Sequence, residues 1–124
     1  MSETATIFYS AILSMCLYES HGDGGGVIIR IGKAFPFIPM PGMNLFIEKE
    51  GVNICQNDAV RSVNYIETDG KVHLLIDLVS PIFKDDGLEE YLEVKLNAGW
   101  KVFRDTRSVS KSPTLIIPGG KKKK

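Results

Sequence analysis

Apolar and polar positions alternate most regularly between Val60 and Val79. Asp69-Gly70 divides this stretch, and that pair suits a two-residue type I′ turn, in which both central positions need φ > 0. Such a turn sets Tyr65 opposite Leu74 and Val63 opposite Ile76. Val63, Tyr65, Val72, Leu74, Ile76 and Leu78 then share one face, because strand side chains point alternately to either side. The pattern predicts a β-hairpin. His73, Leu75 and Val79 fall on its other, wetter side.

Residues 4–20 carry two overlapping periods. Ile7, Ala11, Ser14 and Tyr18 would share a helix face, whereas Leu13, Met15 and Leu17 alternate as in a strand. The Gly-rich run from His21 to Gly26, followed at once by Val27-Ile28-Ile29-Arg30-Ile31, favours a strand and a hairpin loop. Next, Pro36, Pro39 and Pro41 exclude both helix interior and central strand, since each lacks a backbone donor and fixes φ. This segment is expected to be extended, to lie across the core through Phe35, Phe37 and Ile38, and to end in a type II turn at Pro41-Gly42. Strands are predicted at about residues 44–49 and 52–55, joined through Gly51.

One helix is predicted at about residues 86–98. Leu88, Tyr91, Leu92 and Leu96 form an apolar stripe; Asp85 or Asp86 caps its start, and Glu89 and Glu90 suit the positive end of the dipole. Gly99 stands where the helix needs a left-handed residue to end. A strand follows from Trp100 to Arg104. Beyond Asp105 the chain is polar apart from Leu115-Ile116-Ile117, which reads as an edge strand.

Composition narrows the classes. The 124 residues hold fifteen Lys and Arg against fifteen Asp and Glu. Four of the bases are Lys121 to Lys124, which leaves 11 bases against 15 acids, a body of charge −4. That is a poor electrostatic footprint for DNA or RNA. Cys16 and Cys55 form no Cys-x-x-Cys pair and read as reduced, buried small hydrophobes, which suits a reducing, cytoplasmic setting. Thr4 to Tyr18 is uncharged but shorter than the roughly 20 residues a membrane-spanning helix needs.

The candidate chemistry is thin. His21 with Asp23 could act as a base or a metal-ligand pair, yet a loop of turn formers accounts for both residues. His73 and Asp77 stand four residues apart on one strand, roughly 13 Å at about 3.3 Å per residue, too far for a dyad. Asp85, Asp86, Glu89 and Glu90 could hold a cation, but a helix start asks for the same residues. Lys33 followed by Pro36 and Pro39 matches a Pro-x-x-Pro ligand, although Phe37 and Ile38 between the prolines favour burial.

The expected fold is therefore α+β: a mainly antiparallel, bent sheet of hairpins packed against one helix at about residues 86–98. Residues 1–118 are expected to form a single domain and residues 119–124 a flexible basic tail. The expected function is a non-catalytic protein-interaction module, accessory or inhibitor-type, with no cofactor and no metal. Its partner would be another protein or a second copy, not a specific nucleic acid or a membrane. Pro36, Pro39, Pro41, His73, Leu75 and Val79 mark the expected surface. The alternatives are a structural subunit of a homo-oligomer and a small enzyme using His21 and Asp23.

Overall fold

The computed structural model describes residues 7–19, 25–83 and 87–107. In chain order the elements are β1 (Tyr9–Glu19), β2 (Val27–Phe35), β3 (Asn44–Lys49), β4 (Val52–Thr68), β5 (Lys71–Leu78), β6 (Ile82–Phe83), α1 (Gly87–Asn97) and β7 (Lys101–Asp105). Six strands hydrogen-bond in the order β3-β4-β5-β1-β2-β7, with β6 beside β1. The sheet is open and mixed, mostly antiparallel, and with the one helix it makes an α+β fold.

The ambiguous first segment is a strand, β1, and its position explains the mixed signal. It lies between β2, antiparallel, and β5, parallel. Ala11, Leu13, Met15 and Leu17 are buried on one side, while Ile12 and Cys16 are half-buried on the other. A strand covered on both faces reads as a nearly continuous apolar run, in which alternation fades. The parallel pairing of β1 with β5 and β6 is the exception in a sheet that is, as expected, mainly antiparallel. It arises because β2 returns beside β1 on one edge, and the chain then reaches the other edge through β3 and β4.

The β4–β5 hairpin keeps its expected register, with Tyr65 opposite Leu74 and Val63 opposite Ile76. Asp69 and Gly70 take φ of 54° and 74°, as a type I′ turn requires. Only the base of the apolar face is covered. Ile76 and Leu78 are buried, but Tyr65 and Val72 are 71% and 59% exposed.

The separate short strand expected at residues 52–55 is instead the start of β4, a single strand of 17 residues. The pairing of β4 skips Ile54 and Asn57 against β3 and Arg61 against β5. Each skip is a bulge, which bends a strand and raises its twist. Asn57 absorbs its bend with a φ of 62°. Three bends in eight residues bring the β3–β4 hairpin to the C-terminal end of the helix, where Ile54 meets Lys95 and Trp100, and they put adjacent residues Ile54 and Cys55 both in the core.

The proline segment crosses the core less fully than expected. Phe35 and Pro39 are buried, whereas Phe37, Ile38 and Met40 are exposed. Its turn is as expected: the Met43 amide donates to the Met40 carbonyl at 3.1 Å, and Gly42 takes a φ of 92°.

Helix α1 lies within its expected bounds and ends in a Schellman motif. The Trp100 amide donates to the Lys95 carbonyl and the Gly99 amide to Leu96, with Gly99 at a φ of 112°. Leu88 and Leu92 are buried, as the stripe predicts. At the C-terminal end the prediction fails: Leu96 is 39% exposed, and Lys95 takes the inward position at 6%. The capping residues Asp85 and Asp86, the Leu115–Ile117 run and the basic tail lie outside the described residues. Among the described residues no helix is long and apolar enough to cross a membrane.

Candidate functional site: a groove beside a free strand edge

His21 and Asp23 lie outside the described residues. His73 does not meet Asp77. Its Nδ1 pairs with Ser10 Oγ at 2.7 Å, while Asp77 accepts from Ser62 Oγ at 3.2 Å. A serine and a histidine at that spacing resemble a nucleophile and its base. Among the described residues, however, no carboxylate bonds the imidazole to orient it, so the pair lacks the third member such chemistry uses. No group of three or more His, Cys, Asp or Glu among the described residues is placed to hold a metal.

The residues expected to form an interaction surface are split. Pro36 and Pro41 are exposed, but Pro39 is fully buried and cannot contribute. His73 and Leu75 lie on the sheet face away from the helix, with Leu75 beside Ile12 of β1, and Val79 follows at the strand end. Both cysteines are free thiols, Cys55 buried and Cys16 half-buried. Burial, with the Asp58 charge beside it, pushes the Cys55 thiol up to about 12, which makes it a poor nucleophile near neutrality.

The most organised polar cluster surrounds Lys95. Its Nζ donates to the Ile54 carbonyl and to Asp58 Oδ2, each at 3.1 Å. Trp100 Nε1 donates to the same Ile54 carbonyl at 3.0 Å. Ile54 is one of the bulge residues, unpaired with β3, so its carbonyl is free to take both donors. The ammonium also lies 5.1 Å from the Trp100 ring and 5.4 Å from the Tyr91 ring, within cation–π range. Asp58 accepts a further bond from the Gln56 amide. Every strong partner here is satisfied within the chain, which makes the cluster a clamp between hairpin and helix.

Beside this clamp the curled sheet leaves a groove of about 870 Å³. The second half of β2 forms one wall and Phe46 to Lys49 of β3 the other, with Ile54 and Ala98 also lining it. β3 heads one end of the strand order and β2 stands next to the other. The groove is therefore the gap where the sheet fails to close into a barrel.

The β2 wall has an unpaired edge. β7 covers β2 only from Val27 to Arg30, so residues 31–35 have no neighbour on that side among the described residues. At the start of β2 the Gly26 carbonyl accepts from the Thr106 amide at 2.8 Å, and the Gly26 amide donates to Thr106 Oγ1. By the two-residue alternation of a strand, Gly32 and Ala34 turn their amides and carbonyls the same way. Their side chains are the smallest available, which leaves room for another backbone. The Ala34 carbonyl accepts from Lys33 Nζ of its own strand, at 2.9 Å.

Sequence reasoning missed both the groove and Lys95. A buried lysine had one available signal, its place three residues after Leu92 and seven after Leu88 on the apolar stripe. The groove depends on how the sheet curls, and no local pattern encodes that. No family model matches this chain, and no curated protein or solved structure matches it.

Proposed function

We propose that this protein is a non-catalytic binding module that takes an extended segment of a partner protein into the groove as an added strand. The observation that carries the reading is the open edge of β2, where Gly32 and Ala34 present backbone donors and acceptors to an apolar groove. In strand addition the main-chain bonds supply affinity and alternate side-chain pockets supply selectivity. A groove of about 870 Å³ falls within the roughly 300–1,000 Å³ range of small-ligand pockets, enough for a few extended residues.

Phage-displayed extended peptides selected on the protein test this. Peptides that bind should slow amide hydrogen exchange at Gly32 and Ala34. Ala34→Pro removes an amide that the strand alternation turns away from β1, so it should keep the fold by circular dichroism and weaken binding at least tenfold. Binding that leaves those two amides unprotected, or that survives Ala34→Pro unchanged, overturns the reading.

Self-association is a second reading, favoured by the exposure of all five residues of β7. A second copy of that strand, antiparallel and centred on Phe103, would set Lys101 against Asp105. Light scattering at high concentration decides it: a strict monomer excludes this assembly.

A further inference from the structure

We infer that the segment accepted by the groove carries a carboxylate opposite Lys33, and that Lys33 also prevents a second copy of this chain from pairing there. The inference rests on the strand-addition reading and names the partner's chemistry. Three charged side chains line the groove, Lys33, Glu48 and Lys49, so its balance is positive. Lys33 is half-buried at the middle of the free edge, and its Nζ rests on the Ala34 carbonyl at 2.9 Å. An incoming strand must bond that same carbonyl through its own amide. The ammonium is then displaced, and it loses its only hydrogen-bond partner among the described residues.

The residue of the added strand that faces Lys33 has its Cβ about 4.5–5.5 Å away, close enough for its side chain to replace the lost partner. An aspartate or glutamate there compensates the displaced charge. A neutral residue leaves it without a charged partner, beside the Phe35 ring whose centroid it faces at 5.5 Å, and a lysine adds repulsion. The same geometry disfavours self-pairing through β2. Gly32 and Ala34 point outward and residue 36 is a proline, so the antiparallel register that uses both outward residues of two copies centres on Lys33. That register sets the two Lys33 side chains face to face, and like charges opposite one another destabilise a pair. A lysine on an exposed edge is a recurring device against such pairing.

Three fluorescein-labelled peptides separate the outcomes: Val-Thr-Glu-Thr-Val and its counterparts with Gln or Lys at the centre, titrated by anisotropy. Affinity should fall in the order Glu, Gln, Lys by up to about fivefold per step, the range of partly exposed ion pairs. The spread should narrow in 1 M salt. Lys33→Glu should reverse the order. Equal binding of all three, or an order that Lys33→Glu leaves intact, overturns the carboxylate inference while leaving strand addition standing. Failure of every peptide to bind or to protect the Gly32 and Ala34 amides overturns both.

Discussion

Replacing Lys95 by methionine tests the clamp between hairpin and helix. The side chain is 6% exposed and its partner Asp58 is also largely covered. Methionine keeps the apolar stem against Tyr91 and Trp100 but removes the charge and two hydrogen bonds. Breaking a buried pair by removing one member costs about 3–5 kcal/mol, because the other charge is left uncompensated. Two features move this case to the lower end. Asp58 keeps the Gln56 amide, and the Ile54 carbonyl keeps Trp100. About 3 kcal/mol is expected, a large part of the roughly 5–15 kcal/mol that holds a small domain together. At about 4 °C per kcal/mol this lowers the melting temperature by about 12 °C. The single tryptophan, Trp100, reports unfolding in urea by its fluorescence. Adding Asp58→Asn should recover most of the loss, with a coupling energy of at least ~1.5 kcal/mol in the double-mutant cycle. A cost below about 1 kcal/mol for Lys95→Met, or a coupling near zero, would refute the clamp.

Two further outcomes follow from the coordinates. The Cys55 thiol is raised to about 12, while in the unfolded chain it ionises near 8.5–9. Above pH 9 the unfolded state therefore binds fewer protons than the folded one, so stability present below that pH is lost at about 1.4 kcal/mol per unit toward pH 12. Tyr91 is raised as well and adds to the loss above about pH 10, so the window from 9 to 10 belongs to Cys55. Urea midpoints across that window should fall for the native chain and stay nearly flat for Cys55→Ala; equal slopes would disprove the assignment. Separately, Gly25→Ala and Gly51→Ala isolate sterics from backbone strain. Both glycines have φ above 80°, but a Cβ at Gly25 would lie 2.2 Å from the Thr106 carbonyl oxygen, whereas Gly51 has open space. Gly51→Ala should cost about 1 kcal/mol and Gly25→Ala clearly more, by thermal melts; equal losses would count against the tight approach of Thr106.

How much of this was legible in the sequence follows from what each feature depends on. The β4–β5 hairpin is specified locally, by Asp69-Gly70 and the alternation on either side, and its register holds from the turn to Ser62 and Asp77, where the bulge at Arg61 shifts it. The helix end was likewise local, written in Gly99. Lys95 was missed because a lysine is almost never fully buried without a partner, and its partners sit 37 and 41 positions away on β4. The predicted short strand stopped at residue 55, short of the polar run Gln56, Asn57 and Asp58. In the fold they are the bent middle of β4, and Asp58 faces inward to meet Lys95. The open edge of β2 was invisible for a related reason. Nothing in Ile31 to Phe35 states that β7 stops at Arg30.

The clamp and the groove are linked by one carbonyl. β2 and β3 bound the same gap and run in opposite directions through the sheet order, so the two walls could in principle meet and close a barrel. Closure would remove the free edge, which native proteins otherwise shield. What opposes it is the bulge at Ile54. Because that residue is unpaired with β3, its carbonyl takes Lys95 and Trp100, and the hairpin is drawn onto the end of the helix. Ile54 and Ala98, from the two elements so joined, both line the groove. The bonds that hold the hairpin on the helix thus act at the rim of the opening, where Ile54 and Ala98 stand, and the small residues Gly32 and Ala34 lie along its free edge.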